Sequence, residues 1–423
     1  MSSIQINNVT KRFGDFTAVE DLSLDIEEGE FVALLGPSGC GKTTTMNMIA
    51  GIEDISEGSI LFDGQDLSST RIQDRNIGFV FQNYAIFTHL SVYRNLSYGL
   101  EVKKINKSEV DSRVRAMADR MSITHRLEQP ASSLSVNEMQ KLAIGRSAIV
   151  EPRIFLLDEP LSNLDAGFRA YMRAELKVLQ HEFGQTMIYV THDQIEAMSL
   201  ADKIAIIDQG KLMQYGSPLD IYNSPDNRFV ANFIGSPGMN LIDGKLREEK
   251  SQLKLMVHGG AEIPLKGQVK SNFTSDGSVH SGSFGIRPQD IYFGDKRSSN
   301  DIEMKGIVDV LERVGPKRIV HLQVSETNFI AFDDQDQLKL GEKVSFFLPS
   351  EKSMAFDHSL IKNIKINKPL MIAGNIQLND NLENYKKIAD IIDISGGLET
   401  SGLKDKSKID IFLNKVKEIH NET

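Results

Sequence analysis

The sequence predicts an α/β fold: a mainly parallel sheet flanked by helices, with a helical subdomain, followed by a β-rich domain and a short βαβα tail. Three observations predict it. Short apolar runs alternate with helical stretches over residues 1–235, and strand-type alternation with little helical period fills 236–368. Strand-like and helix-like stretches then alternate again over 369–423. A chain of 423 residues has room for two or three domains at about 100–200 residues each.

Each element follows from local pattern. Phe31 to Leu35 has the length and apolar character of a buried strand, and Lys42 to Ala50 continues as a helix. Arg153 to Leu157, Met187 to Val190 and Lys203 to Ile207 are further buried strands. Between the first two lies a more helical stretch, 84–150, read as an inserted subdomain. The character changes near Gly235 to Gly238. Beyond it Ser283 to Arg287, Ile319 to Val324 and Lys343 to Leu348 read as short strands of a small barrel or sandwich. In the tail, Leu370 to Ala373 and Ile391 to Ile394 precede helices near 380–390 and 407–418.

Composition narrows the function classes. Hydrophobic residues at 40% and charged residues at 25% suit an ordinary globular core. A single cysteine, Cys40, excludes an internal disulfide and fits a reducing compartment. A formal charge of -10 argues against a nucleic-acid partner, whose binding face would be basic. The start lacks a secretory-type apolar stretch, and no run reaches the roughly 18–20 apolar residues that cross a bilayer. The chain therefore reads as soluble, with any membrane role exerted through a partner.

Two motifs carry chemistry. Gly36-Pro37-Ser38-Gly39-Cys40-Gly41-Lys42-Thr43-Thr44 lies between a strand and a helix and has the spacing of a phosphate-binding loop. Its glycines let backbone N–H groups turn onto phosphate oxygens at the positive end of the helix. Lys42 would reach the β- and γ-phosphates and the Thr43 hydroxyl would ligate Mg²⁺, so the motif implies ATP. Cys40 reads as a loop residue and not as a nucleophile. The second motif is Asp158-Glu159, at the end of an apolar strand. Asp158 is suited to hold Mg²⁺ through water and Glu159 to polarise an attacking water. Standing alone, such a pair has a lesser alternative, capping the following helix.

With these residues in place the chain resembles the ATP-binding subunits of ABC transporters, in the carbohydrate-importer branch of maltose and glycerol-3-phosphate type. The resemblance covers residues 1–368 and implies a P-loop NTPase fold. Val80-Phe-Gln82 looks like the family's Q-loop, whose glutamine touches Mg²⁺ and senses the permease. Leu161 to Ala166 looks like the D-loop at the dimer interface, and His192 matches the switch histidine on the γ-phosphate. By position Phe13 matches the aromatic that stacks on adenine, with Phe16 as its rival. Singly, His192 reads as a structural histidine and Phe13 as core; in family order they read as a site. Residues 84–125 resemble the helical insert that receives the permease.

One departure matters. The family signature is Leu-Ser-Gly-Gly-Gln, and this chain has Leu134-Ser135-Val136-Asn137-Glu138. Ser135 remains to meet nucleotide across the dimer, but Val136 adds a branched side chain and Glu138 a carboxylate where polyphosphate approaches. A homodimer would then hold two weakened sites, whereas pairing with a related subunit carrying an intact signature would leave one complete site. The resemblance implies an ATPase on the cytoplasmic face of the plasma (inner) membrane, bound peripherally to permease subunits and served indirectly by a solute-binding protein. The competing classes are a regulatory subunit with weak hydrolysis and a soluble ABC ATPase outside transport. The latter would carry a coiled-coil insertion or tandem cassettes, and neither is present.

Residues 236–368 resemble the oligonucleotide-fold-like (OB-like) regulatory domain of this branch, with Met239 to Gly244 and Gly285 to Asp290 at its recurrent motifs. The tail, through Ala373-Gly-Asn-Ile376 and Asp393 to Asp405, resembles the end of phosphoribosylanthranilate isomerase, a TIM barrel. About fifty residues are a fifth of such a barrel and cannot close one, so no isomerase activity is carried over. Truncation near residue 368 is expected to leave ATP affinity unchanged in a nucleotide titration; a loss would make the tail integral to the ATPase.

Overall fold

Continuous apolar runs fold as strands covered on both faces, and this is how the centre of the protein is built. The computed structural model describes residues 2–162, 164–249, 252–257, 262–265, 268–270, 280–325 and 327–357, and short strands at 371–373, 391–393, 399–400 and 403–404. The chain divides into two compact units, Met1–Asp357 and His358–Thr423.

The first unit opens with an antiparallel hairpin, β1 (Ile4–Phe13) and β2 (Phe16–Ile26), followed by β3 (Phe31–Leu35) and helix α1 (Lys42–Ala50). Next come β4 (Glu57–Phe62), β5 (Gln65–Asp66) and β6 (Ile77–Val80). Helices α2 (Val92–Val102), α3 (Lys107–Arg120) and α4 (Val136–Ala148) form the helical insert. The chain returns through β7 (Ile154–Asp158), α5 (Ala166–Phe183), β8 (Thr186–Thr191), α6 (Gln194–Leu200), β9 (Lys203–Asp208) and β10 (Lys211–Gly216). Short helices α7 (Pro218–Asn223) and α8 (Arg228–Phe233) follow.

The central sheet has the order β10-β9-β3-β8-β7-β6. Its strands are parallel except for the antiparallel β10 edge. Alternate residues face opposite layers. Val32, Leu34, Ile188 and Val190 pack with Met46 and Ile49 of α1 and with the β1/β2/β4 sheet. Phe31, Ala33, Leu35, Met187 and Tyr189 pack towards α5, α6 and the helical insert. The parallel sheet and the insert match the expected fold class. The small antiparallel sheet, order β2-β1-β4-β5, is an addition that the apolar-run reading passed over.

The β-rich part of this unit comprises β11 (Asn240–Glu249), β12 (Gln252–Val257), β13 (Glu262–Leu265), β14 (Gln268–Lys270), β15 (His280–Ile286) and β16 (Tyr292–Phe293). It continues with β17 (Ile302–Val314), β18 (Lys317–Val324), β19 (Thr327–Phe332), β20 (Lys343–Leu348) and β21 (Met354–Asp357). Two sheets result, β13-β12-β11-β15-β21-β14 and β16-β20-β17-β18-β19. They enclose a core that includes Leu255, Phe284, Val320, Phe329 and Phe346. Both recurrent motifs have a physical role here. Buried Asn240 donates to the Ile286 carbonyl at 3.2 Å and the Ile330 carbonyl at 2.9 Å and accepts from the Ile330 amide at 2.6 Å, stitching one sheet to the other. Arg287, buried beside them, donates to the carbonyls of Tyr222 (2.8 Å), Ala231 (3.1 Å) and Ile234, holding the ends of α7 and α8.

In the second unit, Met371–Ala373 pairs in parallel with Ile391–Asp393. The helices expected near 380–390 and 407–418 lie outside the described residues. Among the described residues no helix is long and apolar enough to cross a membrane.

Arg287 donates to three backbone carbonyls from one buried guanidinium, and among the described residues only that of Ala231 has a second donor, the Met239 amide at 3.2 Å. Arg287→Ala is expected to destabilise the first unit by about 2–4 kcal/mol, since charged hydrogen bonds contribute most where their loss strands a partner. The measurement is the urea midpoint of the full chain. Arg287→Lys should recover only part of the loss, because an ammonium lacks the planar fork.

Candidate functional site

Parallel strands deliver their carboxyl ends to one edge of the sheet, and the residues singled out above gather there. Register sets the grouping: Leu35 pairs with Thr191 and Ile206, and Asp158 pairs with Val190. The loops after β3, β6, β7 and β8 therefore emerge side by side.

The loop after β3 begins at Gly36, where a Cβ would lie 2.0 Å from the Ile207 carbonyl oxygen of β9. Only glycine fits so close a backbone approach. Gly41, at φ +105°, ends the loop in a left-handed conformation, and α1 starts at Lys42. Pro37 is half-buried, Ser38 and Gly39 are exposed, Thr43 is exposed and Thr44 half-buried. Cys40 turns its side chain under the loop, and burial pushes its thiol pKa up. The thiol is thus poorly suited to nucleophilic chemistry.

Two features leave this end of α1 open to an anion. No side chain caps α1, whereas Ser91, Asn106, Ser135, Asp165, Asp193, Ser217 and Asn227 cap α2 to α8. The Lys42 ammonium is 5% exposed as a residue and rests on the carbonyls of Gly36 and Pro37, each at 2.8 Å. Neutral carbonyls hold a lysine more weakly than a polyanion would.

Asp158 ends β7, and its Oδ1 accepts from the Thr43 hydroxyl at 3.5 Å. Burial pushes the Asp158 carboxyl up, the Glu159 charge adds to this, and Thr43 and Lys42 pull the other way. Glu159 sits at φ +43°, with its amide donating to Val190 at 3.0 Å. Its Oε1 lies 3.2 Å from His192 Nδ1. Gln82, exposed beyond β6, donates to the Ser162 hydroxyl at 3.4 Å and shares a cleft with Asp158. The hard oxygens of Thr43, Asp158 and Gln82 fit Mg²⁺. Among the described residues no cluster of three or more His, Cys, Asp or Glu could hold a metal, so phosphate oxygens and water would have to complete its shell.

Phe13 and Phe16 face each other across the β1–β2 hairpin tip, 46% and 53% exposed. The Lys11 ammonium lies 4.7 Å from the Phe13 ring. Ser135 stands apart from the loop group in sequence and structure, at the first turn of α4. Of the D-loop, Asp165 caps α5 and Asn163 lies outside the described residues.

Sequence reasoning missed the support behind His192. Buried Glu196 accepts from Tyr189 (2.8 Å) and Thr191 (2.7 Å), with Arg169 Nε at 3.9 Å. Arg169 also reaches Asp193 at 3.3 Å and donates to the Leu164 carbonyl at 3.1 Å. The turn that carries His192 and the segment before α5 are thereby joined through one guanidinium. The available signal was Tyr189 and Thr191 two apart on one strand, aimed at a glutamate one turn into the next helix.

Comparison with known proteins shows the family. The model of the ABC transporter family matches residues 19–162. The trehalose/maltose import ATP-binding protein MalK of Thermococcus litoralis is 40% identical over 380 residues, covering 86% of this chain and all of that protein. The maltose/maltodextrin import ATP-binding protein MalK of Yersinia pestis bv. Antiqua is 42% identical over 330 residues, 77% of this chain and 86% of its own. Its counterpart from Salmonella typhimurium is 40% identical over 365 residues, 84% and 96%. The model of N-(5'phosphoribosyl)anthranilate (PRA) isomerase matches residues 322–415. That match begins inside the antiparallel β18–β19 pair, where a barrel of parallel strands has no counterpart.

A carboxyl whose pKa is raised by folding weakens the fold as pH climbs from its unfolded value, about 4, through its folded one. Asp158→Asn should therefore raise the melting temperature of the nucleotide-free chain at pH 7, and the gain should fade towards pH ~4. An equal gain at both pH values would refute the electrostatic origin.

Proposed function

The chain belongs to the ATP-binding subunits of ABC transporters and is an ATPase, and from that premise we propose that it powers an importer for a carbohydrate or polyol-like solute. The observation that carries the reading is the uncapped first turn of α1, with Lys42 held by the loop's own carbonyls and the Cys40 sulfur beside two strand-end carboxylates. ATP enters as substrate. Lys42 exchanges the carbonyls of Gly36 and Pro37 for phosphate oxygens, and the loop amides between Ser38 and Thr44 turn onto the same polyanion. Glu159 accepts the proton of the attacking water, and His192, 3.2 Å away, orients it towards the γ-phosphate. Thr43, Asp158 and Gln82 would hold Mg²⁺, which neutralises charge on the phosphates when bound. Phe13 stacks on the adenine.

Peripheral attachment to permease subunits on the cytoplasmic face completes this reading, with a solute-binding protein acting through them. Val92, Leu96 and Leu100 of the insert are core, so docking falls to the exposed apolar groups beside them. Tyr98, 49% exposed and in edge contact at 5.0 Å with half-buried Phe87, is the leading one. Buried Asn95 fixes this loop by bonding both the amide and the carbonyl of Phe87 at 2.9 Å. The altered signature favours pairing with a second ATPase subunit, whose intact signature would close over this chain's Lys42, Asp158 and Glu159.

Glu159→Gln should lower ATP turnover of the assembled transporter by about 10²–10⁴-fold, the usual worth of a general base, with ATP affinity retained. In a mixed pair, this substitution in this chain alone should suffice. If turnover persists at half the original rate, the two sites are equivalent and the pairing reading fails.

A further inference from the structure

The first turn of α4 is closed by the chain's own carboxylate. Glu138 Oε2 accepts from the Ser135 amide and from the Ser135 hydroxyl, each at 2.9 Å, and the Glu138 amide donates back to that hydroxyl at 3.4 Å. This is a capping box, but a charged and anchored one. Arg126 donates to Glu138 Oε1 at 2.8 Å and to Gln129 at 2.7 Å, while His125 lies 3.7 Å from the same Oε1. Burial opposes the charge, yet the Ser135 amide, Arg126 and the Ser135 hydroxyl together hold the Glu138 carboxyl down at about 2. It is ionised at every physiological pH.

We propose that Glu138 is an intramolecular anion lock: its carboxylate, anchored by Arg126, occupies the Ser135 donors and keeps this face of the chain off the nucleotide of a second subunit. The inference rests on the reading that α4 faces that nucleotide. It changes how the altered signature acts. Simple repulsion would require a bare charge, but Arg126 largely balances Glu138. Competition remains: a phosphate oxygen must displace a carboxylate tethered three residues from the serine it holds, at an effective concentration no free ligand matches. Val136, 47% exposed at the first helical position, crowds the same approach.

Glutamine is also a capping-box residue, but its single acceptor oxygen cannot serve both the Ser135 donors and Arg126, so it keeps the cap, loses the anchor and the charge, and yields the Ser135 donors more readily. Glu138→Gln thus separates the lock from the cap. The experiment uses the full chain carrying Glu159→Gln, which arrests hydrolysis, and follows self-association with Mg-ATP by light scattering. Adding Glu138→Gln is expected to tighten ATP-dependent association at least tenfold with only a small drop in melting temperature, from loss of the Arg126 pair. Adding Glu138→Ala should tighten it comparably despite a lowered melting temperature, since the cap is lost as well. If neither variant associates more tightly than its parent, the lock is wrong. Whether the native transporter holds one copy of this chain or two, read from the mass of the purified complex, decides the pairing reading independently.

Discussion

The approach of Gly36 to the Ile207 carbonyl determines where the phosphate loop leaves the sheet, and much of the site is referred to that point. A side chain there would push the loop off β9, because its first carbon would sit 2.0 Å from the oxygen. With the loop seated, α1 begins at Lys42, its axis is set by Met46 and Ile49 against β3 and β8, and its open amides point along the carboxyl edge of the sheet. Register does the rest. Because Asp158 lies opposite Val190, Glu159 emerges next to the turn that carries His192. The meeting of Glu159 and His192 is thus a consequence of strand pairing and needs no long-range adjustment of loops.

Electrostatics then suits this edge of the sheet to a charged ligand. Asp158 and Glu159 are adjacent carboxylates partly removed from water, and the nearest ammonium, Lys42, is committed to carbonyls. Two negative groups and a positive one are held near each other without being neutralised as pairs. A magnesium-bound polyphosphate brings both the cation that the carboxylates lack and the anion that Lys42 lacks. Behind them, the Arg169–Asp193–Glu196 network keeps the histidine turn and the segment before α5 in fixed relation.

Legibility in the sequence followed burial and backbone demand. Strands β3, β7, β8 and β9 were readable because both faces are covered and their residues are continuously apolar. β1, β2 and β4 were missed although Ile4, Ile6, Leu22, Leu24 and Ile26 alternate with polar residues, since a one-sided strand leaves only a period of two. The loop at 36–44 was legible because its glycines answer a geometric need that no other residue meets. Arg169 and Arg126 were not, since sequence spacing does not reveal which carboxylate a long side chain will find. That gap mattered most at Glu138, which reads as a bare repelling charge until Arg126 is seen beside it.

Two helix ends in this chain therefore behave oppositely, for one physical reason. An α-helix leaves its first amides without partners, and something must satisfy them. At α1 no side chain does so, and the sequence Gly41-Lys42 cannot, since glycine has no side chain and lysine accepts nothing; that end is left for the substrate. At α4 Ser135 and Glu138 satisfy each other within one turn, and Arg126 fixes the arrangement. An anion arriving from outside meets bare donors at the first end and a resident carboxylate at the second. The asymmetry lies inside a single chain, before any partner is considered, and under the proposed roles it gives the two helix ends different work: one to bind phosphate and one to withhold contact from it.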